Sequence, residues 1–138
     1  MLDAPQTRSV TSSSGNLSLT RKMSTYGGLC QRAWVEIDLA ALAHNVRQLK
    51  RILAPQTALM AVVKADAYGH GAVTVAKTAL QNGASWLGVA TIPEGIELRE
   101  AGIDAPILIL GATHTPEQIR AIAHWKLQPT LCTPQQAL

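Results

Sequence analysis

Short apolar strand patterns alternate with helix patterns along most of this chain, and this alternation limits the possible folds more than any other feature. Apolar runs predict strands at about residues 59–63, 86–90 and 106–110, and a fourth is predicted at about residues 127–132. The runs recur at intervals of roughly 20 to 27 residues, with a helix pattern in each gap. Each helix carries the chain back to the start of the next strand, so the pattern predicts parallel βα units.

Three architectures fit such units: a (β/α)8 barrel, a doubly wound sheet, or a fragment of either. A complete barrel needs about 250 residues, so four strands in about 105 residues would form half of one. The chain ends at residues 133–138, where the pattern of another helix is just beginning. We therefore predict an α/β fold of the (β/α)8 TIM-barrel type, of which this chain contains about the first half.

Helix boundary signals support this division. Thr91 and Glu94 have the spacing of a capping box, as do Thr115 and Gln118, so each pair predicts the start of a helix. Gly83 is predicted to end an earlier helix in the left-handed conformation. Upstream, apolar and acidic residues alternate over residues 34–38, which is the pattern of a half-exposed strand.

Asp38 occupies the predicted N-cap of the first helix, which should run to Pro55. Leucine and valine residues recur along this helix at steps of three and four and should form one apolar stripe facing a core. The stripe consists of Leu39, Leu42, Val46, Leu49 and Leu53.

The first 33 residues differ from the rest in composition. They are rich in Ser and Thr, and they contain four basic residues and one acidic residue, whereas residues 34–138 contain eight of each. A disordered N-terminal extension over residues 1–33 is the favoured interpretation, with a transit peptide as the alternative. Translation from Met23 is a third possibility. The globular part is predicted to be one domain over residues 34–138.

Composition argues against several function classes. The net charge of +3 lies in residues 1–33, so the globular part has no basic excess that would predict binding to nucleic acid. No apolar run is long enough to predict membrane insertion, and no secretory signal is evident. Cys30 and Cys132 show neither disulfide nor zinc spacing. We expect a cytoplasmic protein without a metal site.

The segment "KADAYGHG" over residues 64–71 carries the candidate chemistry. Lys64 directly follows the strand predicted at residues 59–63, and in a barrel the residues after each strand form the active-site face. Apolar surroundings favour the uncharged form of a lysine, which is the form that condenses with a carbonyl group.

Together with "VEIDLAALAHNVRQLK", "GVAT" and "GIELREAGIDAPILILG", this segment resembles the amino-terminal part of the alanine racemases. The resemblance runs from about residue 34 to the end of the chain and includes eight consecutive positions from Lys64. It implies the barrel domain of an enzyme that uses pyridoxal 5'-phosphate to interconvert L- and D-alanine, supplying D-alanine for peptidoglycan precursors.

The resemblance also implies roles for two residues. Lys64 would hold pyridoxal phosphate covalently and then act as a proton-transfer group, and Tyr68 would donate a hydrogen bond from its hydroxyl to the cofactor phosphate. Asp66 is expected to anchor or cap the loop. Gly69 and Gly71 would permit tight backbone geometry, with His70 in a structural role.

Val62 and Leu110 end or nearly end their strands. They could wall the cofactor, although core packing explains them equally well.

The extent of the match limits these expectations. In the resembled family a tyrosine from a later domain of the partner subunit supplies the second proton-transfer group, which implies a homodimer. That domain lies outside this chain, so we expect the 138 residues alone to be inactive. We also expect them to expose an inner apolar face containing Val62, Val89 and Leu108.

Two other functions remain open from the sequence. The chain could belong to a barrel protein that binds pyridoxal phosphate for cofactor homeostasis without catalysis, although that family does not show the "KADAYGHG" continuation. It could also be another amino-acid racemase or a decarboxylase on the same barrel.

Overall fold

The computed structural model describes residues 35–137, so the extension predicted over residues 1–33 lies outside the described part of the chain. Helices and strands alternate as predicted. In chain order they are α1 (Leu39–Ile52), β1 (Met60–Val62), α2 (Lys64–Gly69), α3 (Ala72–Gln81), β2 (Trp86–Val89), α4 (Ile92–Glu100), β3 (Ile107–Ala112), α5 (Pro116–His124), β4 (Gln128–Thr130) and a 3-10 helix (Pro134–Ala137).

The four strands form one parallel sheet in the order β1-β2-β3-β4. Sequential parallel neighbours joined by helices are the arrangement of consecutive units in a βα barrel, so the predicted βα units are confirmed. All four carboxyl ends lie at the same edge of the sheet. The loops that follow the strands therefore meet on one face of the protein.

The two faces of the sheet differ in burial. Leu87, Val89, Ile107 and Ile109 are at most 1% exposed and pack beneath the helices. Val62, by contrast, is 40% exposed on the opposite face. The expectation that Val89 lies on the open face was wrong, because side chains alternate along a strand and the neighbouring position in β2, Gly88, takes the open side.

The first helix is covered less than its sequence pattern predicts. Asp38 caps it as expected, and its side chain accepts hydrogen bonds from the N–H groups of Ala40 and Ala41 at 2.9 and 3.0 Å. The helix packs against α3, and Leu42 reaches the core, but Leu49 is 52% exposed. Within residues 35–137, no residue of α1 is fully buried.

The strand predicted over residues 34–38 is not formed in the described part of the chain. Residues 35–37 lie outside any strand, and residue 38 makes only an isolated bridge before it caps α1. A strand needs a neighbouring strand along its length to satisfy its backbone groups, and the sheet described here begins at β1.

Helix ends follow the predicted chemistry. Both predicted capping boxes are present, at Thr91 with Glu94 and at Thr115 with Gln118. Gly83 and Gly102 have positive φ angles just beyond α3 and α4. No helix among the described residues is long and apolar enough to cross a membrane.

Candidate active site

Lys64 begins the loop that leaves β1. The preceding residue, Val63, is 1% exposed and donates its N–H to the carbonyl of Gly88 in β2 at 2.8 Å. Lys64 therefore follows directly on a backbone that is fixed by the sheet. Its side chain is half-buried, and its Nζ makes no hydrogen bond or ion pair with any residue in the described range 35–137.

The segment α2, which makes up the loop after Lys64, is a left-handed helical turn and not a right-handed α-helix. Ala65, Asp66, Ala67 and Tyr68 have φ between 51° and 58° and ψ between 36° and 51°. This conformation costs non-glycine residues about 1–2 kcal/mol each, so a run of four is unfavourable without support from the surrounding structure. From the sequence we predicted only a loop here. Alanine and tyrosine rarely adopt positive φ, and aspartate does so only occasionally.

Several contacts hold this turn in place. Ala67 is 5% exposed and donates its N–H to the carbonyl of Val63 at 2.9 Å. Asp66 accepts a hydrogen bond on Oδ1 from the N–H of Ala72 at 2.7 Å, which anchors the loop to the first residue of α3, in agreement with the anchoring role expected for Asp66. The carbonyl of Asp66 also accepts the N–H of Gly71 at 2.9 Å. The turn is thus tied to the strand before it and to the helix after it.

Two glycines let the chain leave the turn. Gly69 and Gly71 have φ of 86° and 91°, a region that L side chains rarely adopt. His70 between them has a partner that the sequence did not reveal, because its Nδ1 lies 2.9 Å from the carbonyl oxygen of Ala67. This contact supports the structural role expected for His70.

Glu94 links the turn to the next βα loop. Its Oε1 accepts the N–H of Ala65 at 2.8 Å, and its Oε2 accepts the N–H groups of Ala90 at 2.7 Å and Thr91 at 3.0 Å. We predicted the capping box from the sequence but missed the contact with Ala65. The signal that could have revealed this contact is the position of Glu94 at the start of the helix that follows β2, because β2 is the strand that pairs with β1.

These hydrogen bonds set the charge state of Glu94. Partial burial acts to raise the pKa of its carboxyl group, but the N–H donors of Ala65, Thr91 and Ala90 and the hydroxyl of Thr91 together outweigh burial, and the pKa lies below its usual value of 4.5. Glu94 is therefore a carboxylate at neutral pH.

Tyr68 is the last residue of the left-handed turn. Its side chain is 61% exposed, and its hydroxyl has no hydrogen-bond partner among the described residues. Lys64 and Tyr68 therefore belong to one rigidly held loop at the carboxyl edge of the sheet. Both carry a polar group without a protein partner in residues 35–137.

Val62 and Leu110 both lie next to Gly88 on the open face of the sheet. A Cβ atom placed on Gly88 would lie 3.4 Å from a methyl of Val62 and 3.6 Å from one of Leu110, so the two side chains flank this glycine. Both are 40% exposed. The two residues suggested as cofactor walls thus share one apolar surface, immediately before the strand end that carries Lys64.

A separate groove lies between the starts of α4 and α5, with a volume of about 640 Å³. Thr91, Thr113 and Gln118 are among its lining residues, whereas Lys64 and Tyr68 are not. We assign the candidate site to the Lys64 loop, because the reactive groups lie there. Within residues 35–137, no cluster of His, Cys, Asp and Glu could hold a metal ion.

These features place the protein in the class of βα-barrel proteins. Its candidate site is a lysine that follows the first strand described by the structure. The sequence model of the family described as "Alanine racemase, N-terminal domain" matches residues 37–138. The chain belongs to this family. The described sheet accordingly represents the first units of a TIM-type barrel, as predicted.

Curated relatives support the assignment. An alanine racemase from Nostoc sp. (strain PCC 7120) is 75% identical over 118 residues, which cover 86% of this chain and 31% of the relative. One from Synechocystis sp. is 73% identical over 107 residues, which cover 78% of this chain and 29% of the relative. The chain thus matches about a third of the length of these relatives.

Solved structures agree with the sequence relatives. The crystal structure of alanine racemase from E. faecalis has a TM-score of 0.69 and 42% identity, and the match covers 73% of this chain and 27% of that one. The Bacillus anthracis enzyme with bound L-Ala-P has a TM-score of 0.65 and 43% identity, with coverage of 67% and 24%.

Proposed function

We propose that this chain is the lysine-bearing part of an alanine racemase that depends on pyridoxal phosphate. The observation that carries the proposal is Lys64, an amine without a protein partner in the described residues, held at the carboxyl edge of a parallel βα sheet. The relatives and solved structures described above are named alanine racemases, which supports alanine as the substrate.

The groups present in the loop fit pyridoxal phosphate. Its aldehyde requires an amine, which Lys64 provides, and its phosphate requires hydrogen-bond donors, of which the Tyr68 hydroxyl is one. Its ring requires an apolar surface, and Val62 and Leu110 form one beside Gly88. We assign Lys64 and Tyr68 as cofactor-binding residues on this basis.

When bound, the cofactor supplies an electron-withdrawing ring that makes the Cα–H bond of an amino acid acidic. The chain's own residues would then hold and orient the reacting groups. Lys64 Nζ would first tether the cofactor and, once displaced by the substrate amine, remove or return the Cα proton on one side. Tyr68 Oη would keep the phosphate in place, and Val62 and Leu110 would exclude water from the adjacent surface.

Racemisation requires proton transfer on both sides of Cα, and Lys64 can serve only one. We propose that the second group comes from outside this chain, from a partner subunit of a homodimer, and that residues 1–138 alone do not racemise alanine. The product D-alanine would supply peptidoglycan precursors in the cytoplasm. The compartment and the dimer remain predictions.

The test uses the full-length protein loaded with pyridoxal phosphate. Conversion of L- to D-alanine should be measured with a coupled D-alanine assay, and borohydride reduction followed by peptide mapping should place the pyridoxyl group on Lys64. Lys64→Ala should nearly abolish both signals, whereas Lys77→Ala, at an exposed position on α3, should change neither. A label on Lys50, Lys77 or Lys126 would reject the site, and no turnover in the wild-type protein would reject the activity.

A further inference from the structure

In two of the helices within residues 35–137, the side chain three positions after the N-cap reaches the preceding βα loop. Glu94, at the start of α4, accepts hydrogen bonds from its own loop and also from Ala65 in the loop after β1. Gln136, in the 3-10 helix after β4, accepts the N–H groups of Cys132 and Thr133 at 2.6 and 3.0 Å. Its Nε2 also donates to the carbonyl of Thr113, in the loop after β3, at 2.7 Å.

The two side chains match the polarity of the groups they reach. Ala65 presents an N–H donor, and the two oxygens of Glu94 accept three N–H groups in all. Thr113 presents a carbonyl acceptor, for which the amide nitrogen of Gln136 is the required donor. An amide at position 94 would have one oxygen instead of two, so it could not satisfy both loops.

Gln118 supplies the internal comparison. Its Oε1 accepts the N–H groups of His114 and Thr115 at 2.8 and 3.1 Å, both in its own loop. It makes no hydrogen bond to the loop after β2 within the described residues. Gln118 therefore caps its own helix as Glu94 does, but Gln118 does not connect that helix to a neighbouring loop.

We infer that Glu94 is a positioning residue for Lys64. It holds the first N–H of the left-handed turn, and this turn is an unfavourable backbone conformation that persists only under external support. Without the Glu94 carboxylate, the backbone after Lys64 relaxes toward ordinary φ angles, and Lys64 Nζ and Tyr68 Oη lose their shared orientation. This inference rests on the proposed function for the role of Lys64, but the support of the turn is independent of it.

Two measurements on the full-length protein test the inference. The first is hydrogen–deuterium exchange of the backbone amides in residues 65–71 without added cofactor, and the second is the Kd for pyridoxal phosphate. Glu94→Ala should speed exchange in this segment and weaken cofactor binding, each by about tenfold to 100-fold, because the N–H of Ala65, which begins the turn, loses its hydrogen bond to a charged group. Glu94→Gln should show a smaller change in the same direction and serves as the second variant if Glu94→Ala does not fold.

Gln118→Ala is the matched control, because it removes the same kind of helix cap without touching the Lys64 loop. It should lower the melting temperature and leave both measurements at their wild-type values. Equal exchange of residues 65–71 in the Glu94 and Gln118 variants would overturn the inference, as would an unchanged cofactor Kd in Glu94→Ala. If the wild-type protein binds no pyridoxal phosphate, the proposed function fails, and the exchange measurement alone decides whether Glu94 supports the turn.

Discussion

The carboxylate of Glu94 accepts the backbone N–H of Ala65 at 2.8 Å, which joins the start of α4 to the residue that follows Lys64. The two residues are 29 positions apart in the chain and belong to consecutive βα units. Their hydrogen bond means that the loop after β1 is supported from the loop after β2. The orientation of the candidate catalytic lysine therefore depends on the pairing of two strands.

Acidification should lower the free energy of unfolding of the protein, because it protonates Glu94. Its pKa in the folded state lies below 4.5, so its stabilising contribution is complete above the pKa of the unfolded state and is lost as pH falls through the lower folded value. The stability difference between the wild type and Glu94→Gln should therefore be constant from about pH 7 to pH 5.5 and shrink below about pH 4.5. Urea unfolding at a series of pH values measures it. A difference that grows on acidification would contradict the assigned direction.

Replacing Tyr68 by Phe removes one hydroxyl and leaves the ring. If this hydroxyl binds the cofactor phosphate, its loss should weaken cofactor binding by about 0.5–3 kcal/mol. Turnover at saturating cofactor should fall much less, because Lys64 keeps its tether and its proton-transfer role. Spectroscopic titration with pyridoxal phosphate and the alanine assay separate the two effects. Complete loss of turnover at saturating cofactor would show that Tyr68 has a different role.

Lys126 offers a stability test at a helix end. It lies just beyond α5 with φ of 51°, where Gly83 and Gly102 occupy the corresponding positions after α3 and α4. Its N–H donates to the carbonyl of Ala123, and the next N–H, of Leu127, donates to that of Ile122, which is the Schellman arrangement. Lys126→Gly should stabilise the fold by up to about 1 kcal/mol, because relief of the left-handed strain exceeds the added freedom of the unfolded chain.

Gly102→Ala provides the reverse experiment. A Cβ at this position would meet no atom within 4 Å, so the only cost is the φ of 77°. We expect a loss of about 1 kcal/mol, measured by thermal or urea unfolding. Destabilisation by Lys126→Gly together with no effect of Gly102→Ala would mean that left-handed strain does not limit these helix ends.

Arg99 stabilises the edge of the sheet that lies opposite the edge carrying Lys64. Its guanidinium donates to the carbonyls of Trp125, Ile103, Ala105 and Lys126 at 2.5–3.0 Å, which joins the end of α4 to the end of α5. A lysine ammonium cannot span four carbonyls, so Arg99→Lys should cost about 2–3 kcal/mol of unfolding free energy.

Arg120→Lys is the control for this substitution. Arg120 forms an ion pair with Glu117 at 2.7 Å, but both side chains are at least 70% exposed. Exposed ion pairs contribute little to stability, so Arg120→Lys should change the free energy of unfolding by no more than about 0.5 kcal/mol. Equal effects of the two substitutions in urea unfolding would show that the carbonyl contacts of Arg99 are not stabilising.

Sequence patterns predicted the structure correctly where that structure depends on interactions between residues close together in the chain. Thr91 with Glu94 and Thr115 with Gln118 predicted two helix starts, because a capping box involves groups only three residues apart. The four strands were predicted within a few residues of their observed bounds, since apolar β-branched runs between helix signals have few other interpretations. The position of Lys64 at a strand end followed from the same pattern.

Local patterns failed where a distant partner is needed. Residues 35–37 alternate like a strand but form none, because strand formation depends on a neighbouring strand to accept and donate hydrogen bonds. The apolar stripe of α1 predicted a buried face, yet Leu49 is 52% exposed, since burial depends on which elements pack against the helix. Val89 was also assigned to the wrong face of the sheet, because alternation along a strand does not by itself say which set of side chains lies beneath the helices.

The sequence by itself therefore determined the order of helices and strands, the parallel βα class and the candidate lysine, because these depend on residue type and spacing along the chain. Only the tertiary structure decided how the lysine is held. Ala65, Asp66, Ala67 and Tyr68 would not adopt a left-handed turn on their own preferences. The turn exists because Ala67 packs into the core and Glu94, brought alongside by the pairing of β1 with β2, accepts the N–H of Ala65.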